Sequence, residues 1–415
     1  MSERDEEFTL AVAAGLPKSW EDLRQTYNPD RDAREPLKAF SEEWAAADKR
    51  AEDAALKAGR RNDNSFELEI VRTHPEFEIM VREVLSRSEL SMFDQPELGF
   101  QVNFGRLTQT KSVMNYTRAK AAVLSKDGDP IAALKTLQES SNLLRLIRQD
   151  SSTLIAELVG SINEAILLKS AQQILQKHGQ QPAVQTEALR FLDKLGRPGD
   201  VKRALIGEFA GQLVEEHALA TKGEAYYDKF LGLEPMPFED GEEEDKDPQG
   251  EALRLRLHIP GTRDGLFKNL YRAFRELYED IPDDPTDGFD RLQVAKKHSK
   301  IANAKSGDLE FLVPMTIGTA TGAVNSDVRG LVYRRTLKAL ILAQQIRTKT
   351  GSFPTELPLS GQEAIDPFSG EKLKFKQIDG HLVAYSVGED GVDNGGMDAI
   401  SWTMFAKDIG YSVPL

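Results

Sequence analysis

An α+β fold is the expectation from this chain. A large, mostly α-helical region of helix pairs precedes a small helix-plus-antiparallel-β-meander unit. Three observations predict it. Apolar residues recur at helical spacing from Glu35 to Lys349. Short Gly, Pro and Asp turns bound those stripes. Beyond Gly351, alternation with a period of two replaces the helical period.

Near the start, Leu10, Ala14, Trp20 and Leu23 are placed to share a helical face around the break at Gly15-Leu16-Pro17. Lys18 to Tyr27 and Glu35 to Gly59 read as helices, the second with Phe40, Trp44 and Ala47 at helical spacing. Trp20 and Trp44 are assigned to the core. Arg60 to Ser65 reads as a polar turn and Leu68 to Val71 as a short strand. His74-Pro75 starts a helix running to about Arg87.

A helix over Lys111 to Ser125 stops at Asp127-Gly128-Asp129-Pro130. There glycine suits the left-handed cap, aspartate caps the next helix and proline takes its first turn. Ile131 to Arg148 follows, with Leu134, Leu137, Leu144 and Ile147 on one side. Ser151-Ser152 is placed to cap a helix whose stripe is Leu154, Leu158, Ile162, Ile166 and Ile174, closed by Gly179. Helices over Gln185 to Leu195 and Val201 to Leu219 flank Arg197-Pro198-Gly199-Asp200. The pattern Gly-Asp-x-x-x-Ala-Leu occurs at Gly128 and again at Gly199. Its first instance resembles the turn and second helix of a tetratricopeptide unit; the simpler account is a helix bundle reusing a common turn.

Glu239 to Gly250 is acidic and short of apolar residues, the composition of a solvated loop. Helix resumes over Leu266 to Tyr278, and Ile281 to Phe289 reads as a capped acidic turn. Phe311 to Asn325, uncharged but broken by Pro314, Gly318 and Gly322, reads as a buried connector. Asp327 to Lys349 is a strong helix. Lys372 to Lys376 and His381 to Val387 alternate and are joined by Asp379-Gly380, the residues of a tight hairpin turn. Ala399 to Phe405 is expected to form a last strand, with Trp402 packing on the helix. The domain division that follows is 1–110, helical and irregular; 111–308, helical with the acidic loop 239–250; and 309–415, the helix-plus-meander unit.

The 415 residues hold 53 Lys plus Arg against 67 Asp plus Glu, a formal net charge of −14. Such a surface argues against general affinity for nucleic acid or anionic lipid. With no cysteine, disulfides, thiol catalysis and cysteine-held metals are excluded. No membrane span is expected, and the acidic start Met1-Ser-Glu-Arg-Asp lacks the apolar segment of a signal peptide. There is no phosphate-cradling Gly-x-x-x-x-Gly-Lys, no His-Glu-x-x-His and no Gly-x-Ser-x-Gly. The 6 histidines are scattered, none at helical ligand spacing from another.

One segment concentrates oxygen. Gly388 to Asp398 carries Asp390, Asp393 and Asp398 among four glycines. Calcium takes roughly six to eight oxygens from carboxylates and carbonyls, and glycine lets a short backbone turn its carbonyls inward. The loop is not an EF-hand, because Val392 stands at the third position from Asp390. A hard-cation loop and a glycine-rich turn with aspartate caps both fit this composition.

In order along the chain stand Gly351-Ser352-Phe353-Pro354, Asp366-Pro367, Tyr385-Ser386-Val387-Gly388-Glu389-Asp390-Gly391, Gly395-Gly396 and Asp398-Ala399-Ile400-Ser401-Trp402. This series, within Tyr333 to Trp402, resembles the C-terminal half of the type II secretion major pseudopilin. The resemblance implies a long helix, a β-meander and a calcium-holding loop, with the calcium ligands mapping onto Asp390 and Asp398; Asp393 joins them by proximity. A pseudopilin begins with an apolar membrane-embedded helix, whereas here some 330 mostly helical residues precede the match. The helical remainder resembles a loosely defined set of bacterial envelope proteins, which implies a periplasmic or envelope location but no activity. The expected function is therefore a non-enzymatic structural or interaction protein of the bacterial envelope, with a calcium-stabilised C-terminal unit and a protein partner. The alternatives are a tetratricopeptide-like adaptor that binds a peptide and, third, a hydrolase.

Overall fold

The structure, a computed structural model, describes residues 2–23, 28–57, 65–91, 105–150, 153–221, 260–305, 312–401 and 406–415. The acidic segment 239–250 and Trp402 lie outside the described residues. The fold is α+β: a mostly helical body with a small C-terminal antiparallel sheet and a short helix.

The helices of the body are α1 (Glu3–Ala13), α2 (Arg34–Lys57), α3 (Ser65–Thr73), α4 (Glu76–Ser86), α5 (Gly105–Lys126), α6 (Pro130–Asp150), α7 (Leu154–His178), α8 (Pro182–Lys194), α9 (Val201–Thr221), α10 (Pro260–Asp280), α11 (Gly288–Lys305) and α12 (Leu312–Thr350). The meander consists of β1 (Lys374–Ile378), β2 (His381–Ser386), a short helix α13 (Met397–Ser401) and β3 (Ile409–Pro414).

Several expectations are corrected. Leu68 to Val71 is not a strand but part of α3, because Phe66 and Ile70, four residues apart, are both buried. Of the helix expected over Lys18 to Tyr27, residues 24–27 lie outside the described residues, and the described part holds a 3₁₀ turn, Trp20–Leu23. The Asp22 carboxylate accepts the Lys18 and Ser19 N–H groups at 2.7 and 3.3 Å, which starts the turn late. Trp44 is buried as expected, but Leu10 is exposed; α1 instead buries Ala11. Thr153, not Ser151-Ser152, caps α7, its Oγ1 accepting the Ala156 N–H at 3.2 Å. Ile162 of the α7 stripe is exposed. The segment from Phe311 to Asn325 is not a connector: from Leu312 onward it continues α12, a helix of 39 residues. Pro314 falls in the first turn, where its missing N–H leaves no bond unmade, and side chains added at Gly318 and Gly322 would meet only open space. Ala399–Ser401 belongs to α13 rather than to a strand, and the last strand is β3, ten residues further on than Ala399 at Ile409.

Short turns join α5 to α6 and α7 to α8, and consecutive helices from α5 to α8 pack on one another. The two Gly-Asp turns are built differently. Gly128 takes φ +90° as a left-handed cap and Asp129 Oδ1 accepts the Ala132 N–H at 2.9 Å. In the second turn Gly196 takes the positive φ, +69°, and Gly199 serves another purpose described below. The sequence echo is thus not a structural repeat.

The hairpin is as the sequence predicts. Asp379 and Gly380 have φ +46° and +75°, the two left-handed positions of a type I′ turn, and Ile378 pairs with His381. β2 is central, flanked by β1 and β3, both antiparallel. Leu382, Ala384, Tyr411 and Val413 face the helices, while Val383 and Tyr385 point the other way onto Ala399.

Two hydrophobic clusters hold the body together, and α12 belongs to both. Its first half, Val313 to Val332, packs with α1, α9, α10 and α11. Its second half, Leu337 to Ala343, packs with α2 to α8 and with the sheet. β3 is fixed to α7 by Gln172, whose Nε2 donates to the Ser412 carbonyl at 2.9 Å, and to α12 by Tyr333 against Tyr411, ring centroids 5.1 Å apart. No helix among the described residues is long and apolar enough to cross a membrane.

Candidate functional site

The loop between β2 and β3 begins at a buried aspartate. Asp366 accepts the Phe368 N–H at 2.9 Å and Ser369 Oγ at 3.1 Å, closing its own turn. It also accepts Ser386 Oγ at 2.7 Å and the Val387 N–H at 3.1 Å, pinning the end of β2. Gly388 then turns with φ +70°, and a Cβ there would lie 2.0 Å from the Lys407 carbonyl oxygen. Only glycine permits both the angle and the approach.

The three predicted aspartates are not equivalent. Asp390 is exposed; its Oδ1 accepts the Val392 N–H at 3.0 Å in a local turn. Asp393 accepts the Tyr385 hydroxyl at 2.8 Å and the Gly395 N–H at 3.0 Å. Asp398 accepts the Lys407 N–H at 2.8 Å. The tyrosine hydroxyl, foremost, holds the Asp393 carboxyl below its usual range, with help from Lys376.

A fourth aspartate, which sequence reasoning missed, completes the loop. Asp408 is fully buried and accepts the Asn394 N–H at 3.2 Å and the Gly396 N–H at 2.7 Å. Burial raises its pKa; the two N–H donors oppose the rise, and nearby Asp393 and Asp398 add to it. The structure thus gathers Asp393, Asp398 and Asp408 and leaves Asp390 on the rim. Nothing in the sequence around Lys407-Asp408 marks it, since its role depends on β3 returning beside β2. Among the described residues, no three carboxylate or imidazole groups stand in metal-holding geometry. The oxygens face N–H and O–H donors instead. Glu389 ties the loop to α12, accepting from Arg329 Nε and Nη2 at 3.0 and 2.8 Å.

A second polar assembly, also missed, lies where α6, α7 and α12 meet. Glu164 of α7 is buried and accepts from Arg148 of α6 and from Arg334 of α12. Burial alone would raise its pKa, but the two guanidiniums hold it down to about 2. Two turns away, buried Glu157 and Asp327 converge under Gly199, where a Cβ would lie 2.2 Å from an oxygen of each. Ser161 Oγ donates to Asp327 Oδ1 at 3.0 Å. Burial and mutual repulsion push Asp327 well up, and burial raises Glu157. The signal was present: Glu157, Ser161 and Glu164 fall at i, i+4 and i+7, a polar stripe on a helix otherwise rich in apolar residues.

Comparison with models of known families, with curated proteins and with solved structures finds no match for this chain.

Proposed function

We propose that this chain is a non-enzymatic interaction protein of the bacterial envelope that presents the β2–β3 loop to a protein partner, with calcium tightening the loop. The observation that carries the reading is an anchored loop with an apolar tip. Asp366, Asp408 and the Arg329–Glu389 pair fix its base, while Val392 and Met397 are about half exposed at 55% and 48%. Exposed apolar side chains on a pre-ordered backbone lose little entropy on docking. The crowding of Asp393 and Asp398 around Asp408 supports calcium: a cation would relieve their repulsion and exchange the N–H contacts for coordination.

Thermal unfolding with chelator and with millimolar calcium tests the metal. A ligand that binds only the folded state stabilises it by about 2.7 kcal/mol at a hundredfold excess over Kd. Calcium should raise the wild-type transition, do so less in Asp408→Asn, and act nearly as before in Asp390→Ala. An unchanged wild-type transition, with no heat of binding by calorimetry, would leave an N–H-capped turn in its place. The interaction is tested separately with a photocrosslinker at position 392 in the native host, and with one at exposed Ile79 on α4 as control. A discrete adduct from 392 alone is expected; none from 392, or the same adduct from both positions, would refute docking through this loop.

A further inference from the structure

The turn between α8 and α9 folds over the ends of α6 and α7 and encloses a cavity of about 340 Å³, within the range of small-molecule sites. Arg145, Arg148, Arg197 and Arg203 line it, with Glu157, Asp200 and Asp283. The acidic members are already answered. Arg291 Nη2 donates to Asp200 Oδ1 at 2.6 Å, and Lys202 Nζ donates to Asp283 Oδ1 at 2.6 Å. Glu157 stands against Asp327 and 3.9 Å from Arg148 Nε, and burial raises both carboxyls.

The cations are not answered in the same way. Arg145 is held by neutral oxygens, Asn142 Oδ1 at 2.7 Å and Gln149 Oε1 at 2.6 Å. Arg203 donates to the Gln149 carbonyl. Among the described residues, Arg145, Arg197 and Arg203 form no ion pair with a carboxylate. Arg148 donates to Glu164 and, at 3.1 Å, to the Arg197 carbonyl, yet its buried Nε, 3.9 Å from Glu157 Oε1, makes no hydrogen bond. A buried donor without a partner costs about 1–3 kcal/mol, and this one lines the cavity.

We propose that this cavity binds a small free oxyanion, a phosphate- or carboxylate-bearing molecule, gripped by Arg197 and Arg203 at the rim and by Arg148 at the floor. Two features support the assignment. Positive charge collects here in a chain whose formal net charge is −14, so the pocket is a local exception to a repulsive surface. Guanidinium forks match planar carboxylates and phosphate oxygens two bonds at a time. Beneath the turn the Glu157 and Asp327 carboxyls lie together. Gly199 is the reason the turn can close so tightly over that pair, since any side chain there would occupy the space of both carboxyls.

Isothermal titration of the full chain at low ionic strength tests the assignment, with pyrophosphate and citrate as separate probes. At least one should bind saturably with one site per chain, and which of them does so distinguishes phosphate from carboxylate recognition. Arg197→Gln/Arg203→Gln should weaken binding by about tenfold or more while leaving the ligand-free thermal transition in place, because both side chains are exposed. Arg82→Gln on α4, outside the cavity lining and exposed, should leave binding unchanged. Absence of saturable binding by either probe would overturn the proposal. So would an undiminished affinity in the double variant, or an equal loss in Arg82→Gln, which would mark diffuse charge attraction.

Discussion

Glu164→Gln should be among the most damaging single substitutions in the body of this protein. The carboxylate is buried between two guanidiniums from different helices. Holding it at about 2 rather than at its ordinary 4.5 corresponds to about 3 kcal/mol of stability at neutral pH. Removing one member of a buried ion assembly typically costs roughly 3–5 kcal/mol, so two independent routes agree. Because the folded value lies below the unfolded one, the unfolded chain binds more protons across the window between them. Stability from this group is therefore fully present above about pH 4.5 and is lost as the pH falls through about 2. Urea denaturation of wild type and variant at several pH values reads both quantities. The difference should stay near 3 kcal/mol from pH 8 to pH 5 and shrink below pH 4.5. A variant within 1 kcal/mol of wild type at pH 7, or a gap that widens toward acid, would refute the account of Glu164 as the hub of this assembly.

The Glu157–Asp327 pair has the opposite sign. Its raised folded values mean that its stability is present at low pH and fades as the pH rises, so Asp327→Asn should flatten the fall in the thermal transition as the pH rises above the ordinary carboxylate range; an unaltered slope would count against the pair as its source. Gln172→Ala should cost about 1 kcal/mol by removing the shorter of two amide donors to the Ser412 carbonyl, with Gln176 Nε2 left at 3.4 Å, and hydrogen exchange should report the loss first in β3. Gly388→Ala forces both a left-handed angle and an overlap with the Lys407 carbonyl; the angle alone costs about 1–2 kcal/mol, and a transition unchanged by this substitution would mean that the loop relaxes freely.

How far the chain could be understood before its structure follows from which interactions are local. The hairpin at Asp379-Gly380 was legible because the turn type is dictated by two adjacent residues. The helices α2, α6 and α7 were legible because their stripes recur every three or four positions. The loop's Asp393 and Asp398 were found by composition, whereas Asp408 was not, since a strand must first return to bring it there. Leu68 to Val71 was misread because three apolar residues and one glutamate are too few to carry a period of their own. The first half of α12 was misread because proline and two glycines outweighed its membership in a core that only tertiary packing discloses.

α12 spans about 58 Å at 1.5 Å per residue and supplies one wall to each hydrophobic cluster. During synthesis, the helices from α2 to α8 leave the ribosome well before the segment that completes their core. The apolar faces of α7 and α8 must then wait, exposed, for Leu337 to Ala343 and for the strands beyond. Contacts such as Gln172 with Ser412, separated by 240 positions, cannot form until translation has nearly passed β3. A chain built this way is slow to close and vulnerable while it waits. Its nascent form should lean on holdase chaperones, and release from them should coincide with the emergence of α12 rather than with that of any earlier helix.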